Sequence, residues 1–391
     1  MEALNGSRLR ALARLEAEPC VSIFLPVPSP GGAPREAAIR LQNLAREAEG
    51  LLLAGGADGA RVGELLGPVA DLVVEAERTA LPVGGLAVYS APGFFRAFSV
   101  DFPLPEAARV GGRFALRPLL PALSAPERFY VLALSANHVR LFEGGTHLWR
   151  ELAPAGLPKS FEEAMGYVEY YSGVSAHTST ARGLGRRPAI FHGHGDDDEE
   201  RADIDLENFF RRVVEALERG LPDPGAPLVL ATIAAHVPLF RRANRRLKLL
   251  ERAVVGNADY VTEGELAGAA REILAAESRR AVVRELVRWR EELGEGGRGV
   301  VDLEEIVRAA DEGRIETLFL AREAERWGSY EPDLRRVTVH ETREPGDEEL
   351  LERAAGRTLA QRGDVRALPI AAMPEGRIAV ATLRFTAPLS P

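Results

Sequence analysis

The chain is short of cysteine, lysine, glutamine and long apolar runs, and each shortage removes a class of function. One cysteine, Cys20, in 391 residues leaves no internal disulfide and no multi-cysteine metal cluster, which fits a reducing compartment. Apolar runs stay short: PLVLATIAA at 227–235 has the length of a buried strand, well below the roughly 20 residues that span a bilayer. The N-terminal stretch MEALNGSRLRALARLEAEP carries acids where a secretory signal would be apolar. These points predict a soluble, cytoplasmic protein with no membrane partner. Lys159 and Lys248 are the only lysines. Arginine supplies every other basic side chain, a bias that a GC-rich genome explains more simply than phosphate recognition. The net charge of −9 gives a field that disfavours nucleic acid as a whole, so no DNA partner is expected, while local basic patches stay open.

What is present is ordinary globular material, 46% hydrophobic and 27% charged, long enough for two or three domains. Apolar periodicity predicts helices over 7–18, 35–53 and 62–80, with strands at 20–25, 85–91 and 94–100. PLLPALSAP at 118–126 reads as a linker that closes an N-terminal α/β domain, 1–125. A hairpin over 129–143 turns at Asn137-His138, and a short strand follows at 147–152. Next come a helix from about 205 to 219, a strand over 228–235, a helix over 238–255 and another over 262–290. This makes a second domain of 126–277. Helices at 303–312 and 347–361 alternate with strands at 317–320, 365–370 and 378–385, which predicts an α/β sandwich over 278–391. The expected class is therefore α/β (α+β) in three domains.

The stretch from Arg182 to Arg201, RGLGRRPAIFHGHGDDDEER, stands between a strand and a helix. Glycines allow close backbone approach, and arginine and histidine can contact or polarise a partner. His192 and His194 with the following acids hold the chemistry of metal ligands, but an i, i+2 pair in a loop lacks a fixed face. No metal or other cofactor is expected. The acid run also has a plain role, stabilising the start of the next helix. Arg241, Arg242, Arg245, Arg246 and Lys248 form the strongest local basic patch. On the expected helix, 241, 245, 248 and 252 share a face that could follow a phosphate backbone or simply face solvent. Gly-rich pieces at 55–59 and 294–299 lack nucleotide-binding context, and Ser175 to Thr180 lacks a nucleophile elbow.

Several segments, taken in order, resemble the bacterial relatives of the archaeo-eukaryotic class-1 peptide-chain release factors. They are FYVLALSANHVRLFEGG (129–145), HGHGDDDEERADIDLENFFRRV (192–213), PLVLATIAAHVPLFRRANRRLKLLE (227–251), GNADYVTEGEL (256–266), LEEIVRAADEGRIETLFLAREAERWG (303–328) and DEELLERAAGRTL (347–359). The resemblance implies a divergent N-terminal domain, a ribonuclease-H-like middle domain and a C-terminal domain similar to kink-turn-binding ribosomal proteins. It also implies action at the ribosomal A site. True release factors carry Gly-Gly-Gln in the middle-domain loop, whereas the corresponding loop here reads HGHG at 192–195, and Gln42 and Gln361 lie far away. The stop-codon-reading motif Asn-Ile-Lys-Ser is also missing. Peptidyl-tRNA hydrolysis by that route is not expected, and the balance of the residues is against an enzyme.

Three functions follow as expectations. The first is a ribosome-associated factor of rescue, stalling or dormancy. In it Arg182, Arg186, Arg187, His192, Gly193, His194 and Gly195 meet rRNA or tRNA, and Arg241, Arg242, Arg245, Arg246 and Lys248 meet phosphate. The second is a hydrolase of peptidyl-tRNA or another ester, with His192 or His194 as base. The third is a stress-related adaptor that binds a protein partner through the C-terminal domain.

Overall fold

The computed structural model describes residues 1–27, 34–79, 81–123, 126–145, 148–165, 196–294 and 296–385. It divides the chain into two compact units, one built from 1–127 together with 277–391 and the other from 128–276. The two segments that flank 128–276 share one unit, where the sequence reading had three domains.

The N-terminal segment of the first unit begins with β1 (Glu2–Ala3) and α1 (Gly6–Ala13), then β2 (Cys20–Val27). Helices α2 (Pro34–Ala54) and α3 (Gly59–Arg78) follow, then β3 (Gly84–Ala91), β4 (Phe94–Val100) and β5 (Ala107–Gly111). The strands form one sheet in the order β1-β4-β3-β2-β5. Alternation along β2 explains its two faces. Val21, Ile23 and Leu25 pack under α2 and α3, while Cys20 and Phe24 point to the opposite core. Residues Arg117–Leu123, expected as a linker, form a 3₁₀ turn with Leu119 and Leu120 buried in that opposite core. Their apolar side chains are anchors, and the prolines shape the turn.

The second unit contains β6 (Phe129–Leu134), β7 (Val139–Gly144), β8 (Trp149–Leu152), α4 (Phe161–Met165) and α5 (Asp196–Gly220). It continues with β9 (Leu228–Thr232), α6 (His236–Ala243), β10 (Val254–Val255) and the first turns of α7 (Glu263–Glu291). The sheet order is β10-β9-β6-β7-β8, with β6, β7 and β8 antiparallel and β9 and β10 parallel to β6. A three-strand meander extended by parallel strands on its first member is the ribonuclease-H-like arrangement. Tyr130, Leu132, Leu228 and Leu230 face α5 and α6, whereas Val131, Ala133, Val229 and Ala231 face Leu266, Ala270 and Ile273 of α7. Helices on both faces explain why β6 and β9 read as continuous apolar runs.

The helix expected from about 205 begins at Asp196, so the acid run falls inside α5 instead of preceding it. The helix expected over 238–255 stops at Ala243, where Asn244 closes it with extended backbone.

Back in the first unit, β11 (Gly299–Val300), α8 (Leu303–Asp311), β12 (Ile315–Ala321), β13 (Trp327–Glu331) and β14 (Arg336–His340) are followed by β15 (Glu348–Glu349), α9 (Leu350–Ala360), β16 (Asp364–Leu368) and β17 (Ala379–Leu383). One sheet runs β11-β17-β12-β16 and a small one β14-β13-β15. Leu318 and Leu320 face α8 and α9, while Phe319 and Ala321 meet Trp289 at the end of α7, giving the expected α/β sandwich. The core on the α8–α9 side is continuous with Phe24, Tyr89, Leu119 and Leu120. Among the described residues no helix is long and apolar enough to cross a membrane.

Candidate functional site

Parallel strands β6, β9 and β10 end on the same edge of the second unit's sheet, at Leu134, Thr232 and Val255. In open α/β sheets that edge is where ligands gather, because the loops diverge there. The structure places a polar network on it. Ser135 Oγ donates to Asp259 Oδ1 at 2.7 Å, and Asn137 Nδ2 donates to Asp259 Oδ2 at 3.4 Å. His138 Nδ1 lies 3.1 Å from Asp259 Oδ1. A carboxylate can only accept, so His138 carries a proton on Nδ1, and in the neutral ring Nε2 is then the acceptor. The Ser135–His138 turn is held by its own backbone, with Ser135 N–H bonded to His138 O at 2.9 Å.

Thr232 adds a second fixed imidazole. Its buried hydroxyl donates its one proton to Leu134 O at 2.6 Å, so the 3.2 Å contact with His236 Nδ1 is a donation from the ring. The entry to α4 is stitched to the same edge, since Val139 N–H reaches Lys159 O and Phe161 N–H reaches Ala136 O. Farther along the sheet, Glu143 is fully buried and clamped by Arg128 at 2.7 Å and Arg150 at 2.6 Å. Among the described residues no group of three or more His, Cys, Asp or Glu is assembled to hold a metal ion.

The five basic residues do not share one helix. Arg241 and Arg242 end α6, and Arg245, Arg246 and Lys248 lie beyond it, so the shared helix face does not exist. Asn244 makes a turn in its place: its Nδ2 donates to Leu247 O at 3.0 Å, and Leu247 N–H donates to Asn244 Oδ1 at 3.1 Å. Leu247 is buried, which leaves Arg245 and Arg246 at the exposed tip. Downstream, Leu228 N–H bonds Lys248 O, and Leu250 N–H bonds Leu228 O, tying the segment to the start of β9. Arg242 meets Glu207 at 3.4 Å, Arg246 meets Glu218 at 3.6 Å, and Arg241 donates to Glu251 O. Exposed ion pairs of that length contribute little, so these guanidiniums are readily exchanged to another anion.

Arg182, Arg186, Arg187, His192, Gly193, His194 and Gly195 lie outside the described residues. Sequence reasoning missed the convergence on Asp259, because its partners are separated by more than 120 positions and no local spacing marks it.

Comparison with known proteins completes the picture. Residues 128–314 match the sequence profile described as Bacterial archaeo-eukaryotic release factor family 3. No curated protein matches the chain. Among solved structures, the archaeal translation termination factor aRF1 is 15% identical, covering 98% of this chain and 99% of its own, with a TM-score of 0.24. Pelota from Archaeoglobus fulgidus is 13% identical over 77% of this chain and 79% of its own, with a TM-score of 0.32. An archaeal Pelota described as ribosome-bound together with ABCE1 is 12% identical over 98% and 95%, with a TM-score of 0.36. Residues 128–314, which span the second unit with its histidine-bearing edge and arginine turn, are thus the part of the chain that is similar to bacterial archaeo-eukaryotic release factor family 3.

Proposed function

We propose that the chain is a ribosome-associated, release-factor-like protein that acts in ribosome rescue, stalling or dormancy. The observation that carries this reading is the family match over 128–314, a span that holds both the HGHG segment and the arginine turn. The absence of Gly-Gly-Gln from that segment removes the hydrolytic glutamine and leaves binding as the role the residues support. Arg241, Arg242, Arg245, Arg246 and Lys248 are all exposed and serve as the phosphate-contacting patch. Arg182, Arg186, Arg187, His192, Gly193, His194 and Gly195 serve as the segment that meets rRNA or the tRNA end.

A chain of net charge −9 binds a polyanion only through a segregated basic face, so its affinity falls steeply with salt. The test is co-sedimentation of the purified protein with bacterial ribosomes and their separated subunits at low salt. Co-migration that is lost as salt rises is the expected result, and failure to co-migrate at any salt contradicts the reading.

A further inference from the structure

We propose that the edge of the second unit formed by the ends of β6, β9 and β10 is a binding site for one unstacked nucleotide of single-stranded RNA. Tyr260 is its stacking platform and His138 its hydrogen-bonding group. The inference deepens the ribosome-associated reading and rests on it only for the source of the RNA.

Tyr260 is 80% exposed, the most exposed of the large apolar side chains described, and it follows directly after Asp259. Exposure of that degree normally accompanies mobility, but this segment is held from both sides. Asp259 N–H donates to Asn257 Oδ1, and Tyr260 N–H donates to Asn257 O. Immediately afterwards Thr262 and Glu265 exchange bonds as a capping box, Thr262 N–H to Glu265 Oε2 at 2.9 Å and Glu265 N–H to Thr262 Oγ1. An aromatic ring carried on a pre-ordered backbone loses little entropy when a partner stacks on it.

Asp259 then links the ring to a donor–acceptor group. It draws Ser135, Asn137 and His138 onto the residue beside Tyr260, and the His138 side chain remains 69% exposed, with Nε2 the acceptor of the neutral ring. An acceptor in that position suits a ribose 2′-hydroxyl, the group that separates RNA from DNA. Val255, 64% exposed, and Ile233 add apolar surface at the ends of β10 and β9. An exposed aromatic on a pinned backbone and an exposed imidazole held by the neighbouring carboxylate form the combination that splayed bases use.

The experiment uses the full chain and fluorescence anisotropy of short labelled RNA homopolymers and their DNA counterparts. Tyr260→Phe should bind as the wild type does. Tyr260→Ala should weaken RNA binding roughly tenfold or more, the usual cost of losing one stacked base. His138→Ala should lower the RNA-over-DNA preference several-fold. RNA affinity unchanged in Tyr260→Ala overturns the proposal. So does loss of ribosome association in Tyr260→Ala with oligonucleotide binding intact, since that outcome marks a protein contact. Tyr260-dependent RNA binding in a protein that never co-sediments with ribosomes supports the site and refutes the ribosome reading alone.

Discussion

Glu352 on α9 accepts the backbone N–H groups of Leu116 at 2.5 Å and Arg117 at 3.1 Å, joining residues 235 positions apart. Around it stand the Arg117 guanidinium, paired with Glu349 at 2.8 Å, and the buried Tyr89 phenol, which donates to Ala115 O. Burial pushes the Glu352 carboxyl up to about 7, and the two N–H groups and Arg117 only partly offset it. A raised carboxyl value means that the native state holds this proton more tightly than the unfolded chain. The contribution is therefore fully present below the ordinary carboxylate range and is lost as pH climbs through about 7. Glu352→Gln keeps an acceptor and removes the titration, so its stability relative to wild type should improve between pH 5 and pH 8. Equal urea midpoint differences at the two pH values would contradict that assignment. At the arginine turn, Asn244→Ala removes both bonds to Leu247 and should cost about 1 kcal/mol, read by urea unfolding. It should also weaken ribosome binding with every arginine still present, and undiminished binding would show that the turn does not organise the patch.

Among the elements, the core shared by the two flanking segments has the clearest consequence. Leu120 shares one core with Phe24 and Tyr89 of the N-terminal segment and with Leu318, Leu351 and Leu359 of the C-terminal segment. Leu120→Ala should cost about 2–5 kcal/mol and lower hydrogen-exchange protection in β2, β12 and α9 together. Protection lost in β2 alone would mean that the segments are energetically separate. Strands with unbroken apolar runs and helices with a clean 3.6-residue stripe were legible in the sequence, as in β6, β9 and α8. The linker reading of 118–126 failed because Pro and Ser outweighed Leu119 and Leu120, whose burial depends on residues 200 positions away. The helix over 238–255 was overextended because arginines at helical spacing imitate a face, whereas the helix ends at Ala243 and the side-chain bonds of Asn244 form a turn after it. The hairpin of β13 (WGSYE) and β14 (RVTVH) offers only five residues a strand with two apolar side chains in each, too short a pattern to register.

At the scale of the whole molecule, an acidic protein is expected to meet a polyanion through a confined basic surface. Residue chemistry made the five cationic side chains legible as a cluster, since they stand close in sequence and all are exposed. The edge site was not legible, because the sheet alone brings Ser135, His138 and Asp259 together. The direct test of the central claim compares salt dependence of ribosome co-sedimentation for wild type and the Arg241/Arg242/Arg245/Arg246 quadruple alanine variant. Each phosphate contact contributes a slope of about −0.7 to −0.9 in log affinity against log salt. The proposal predicts weaker binding at low salt and a slope shallower by about two or more in the variant. An unchanged affinity and slope would contradict it.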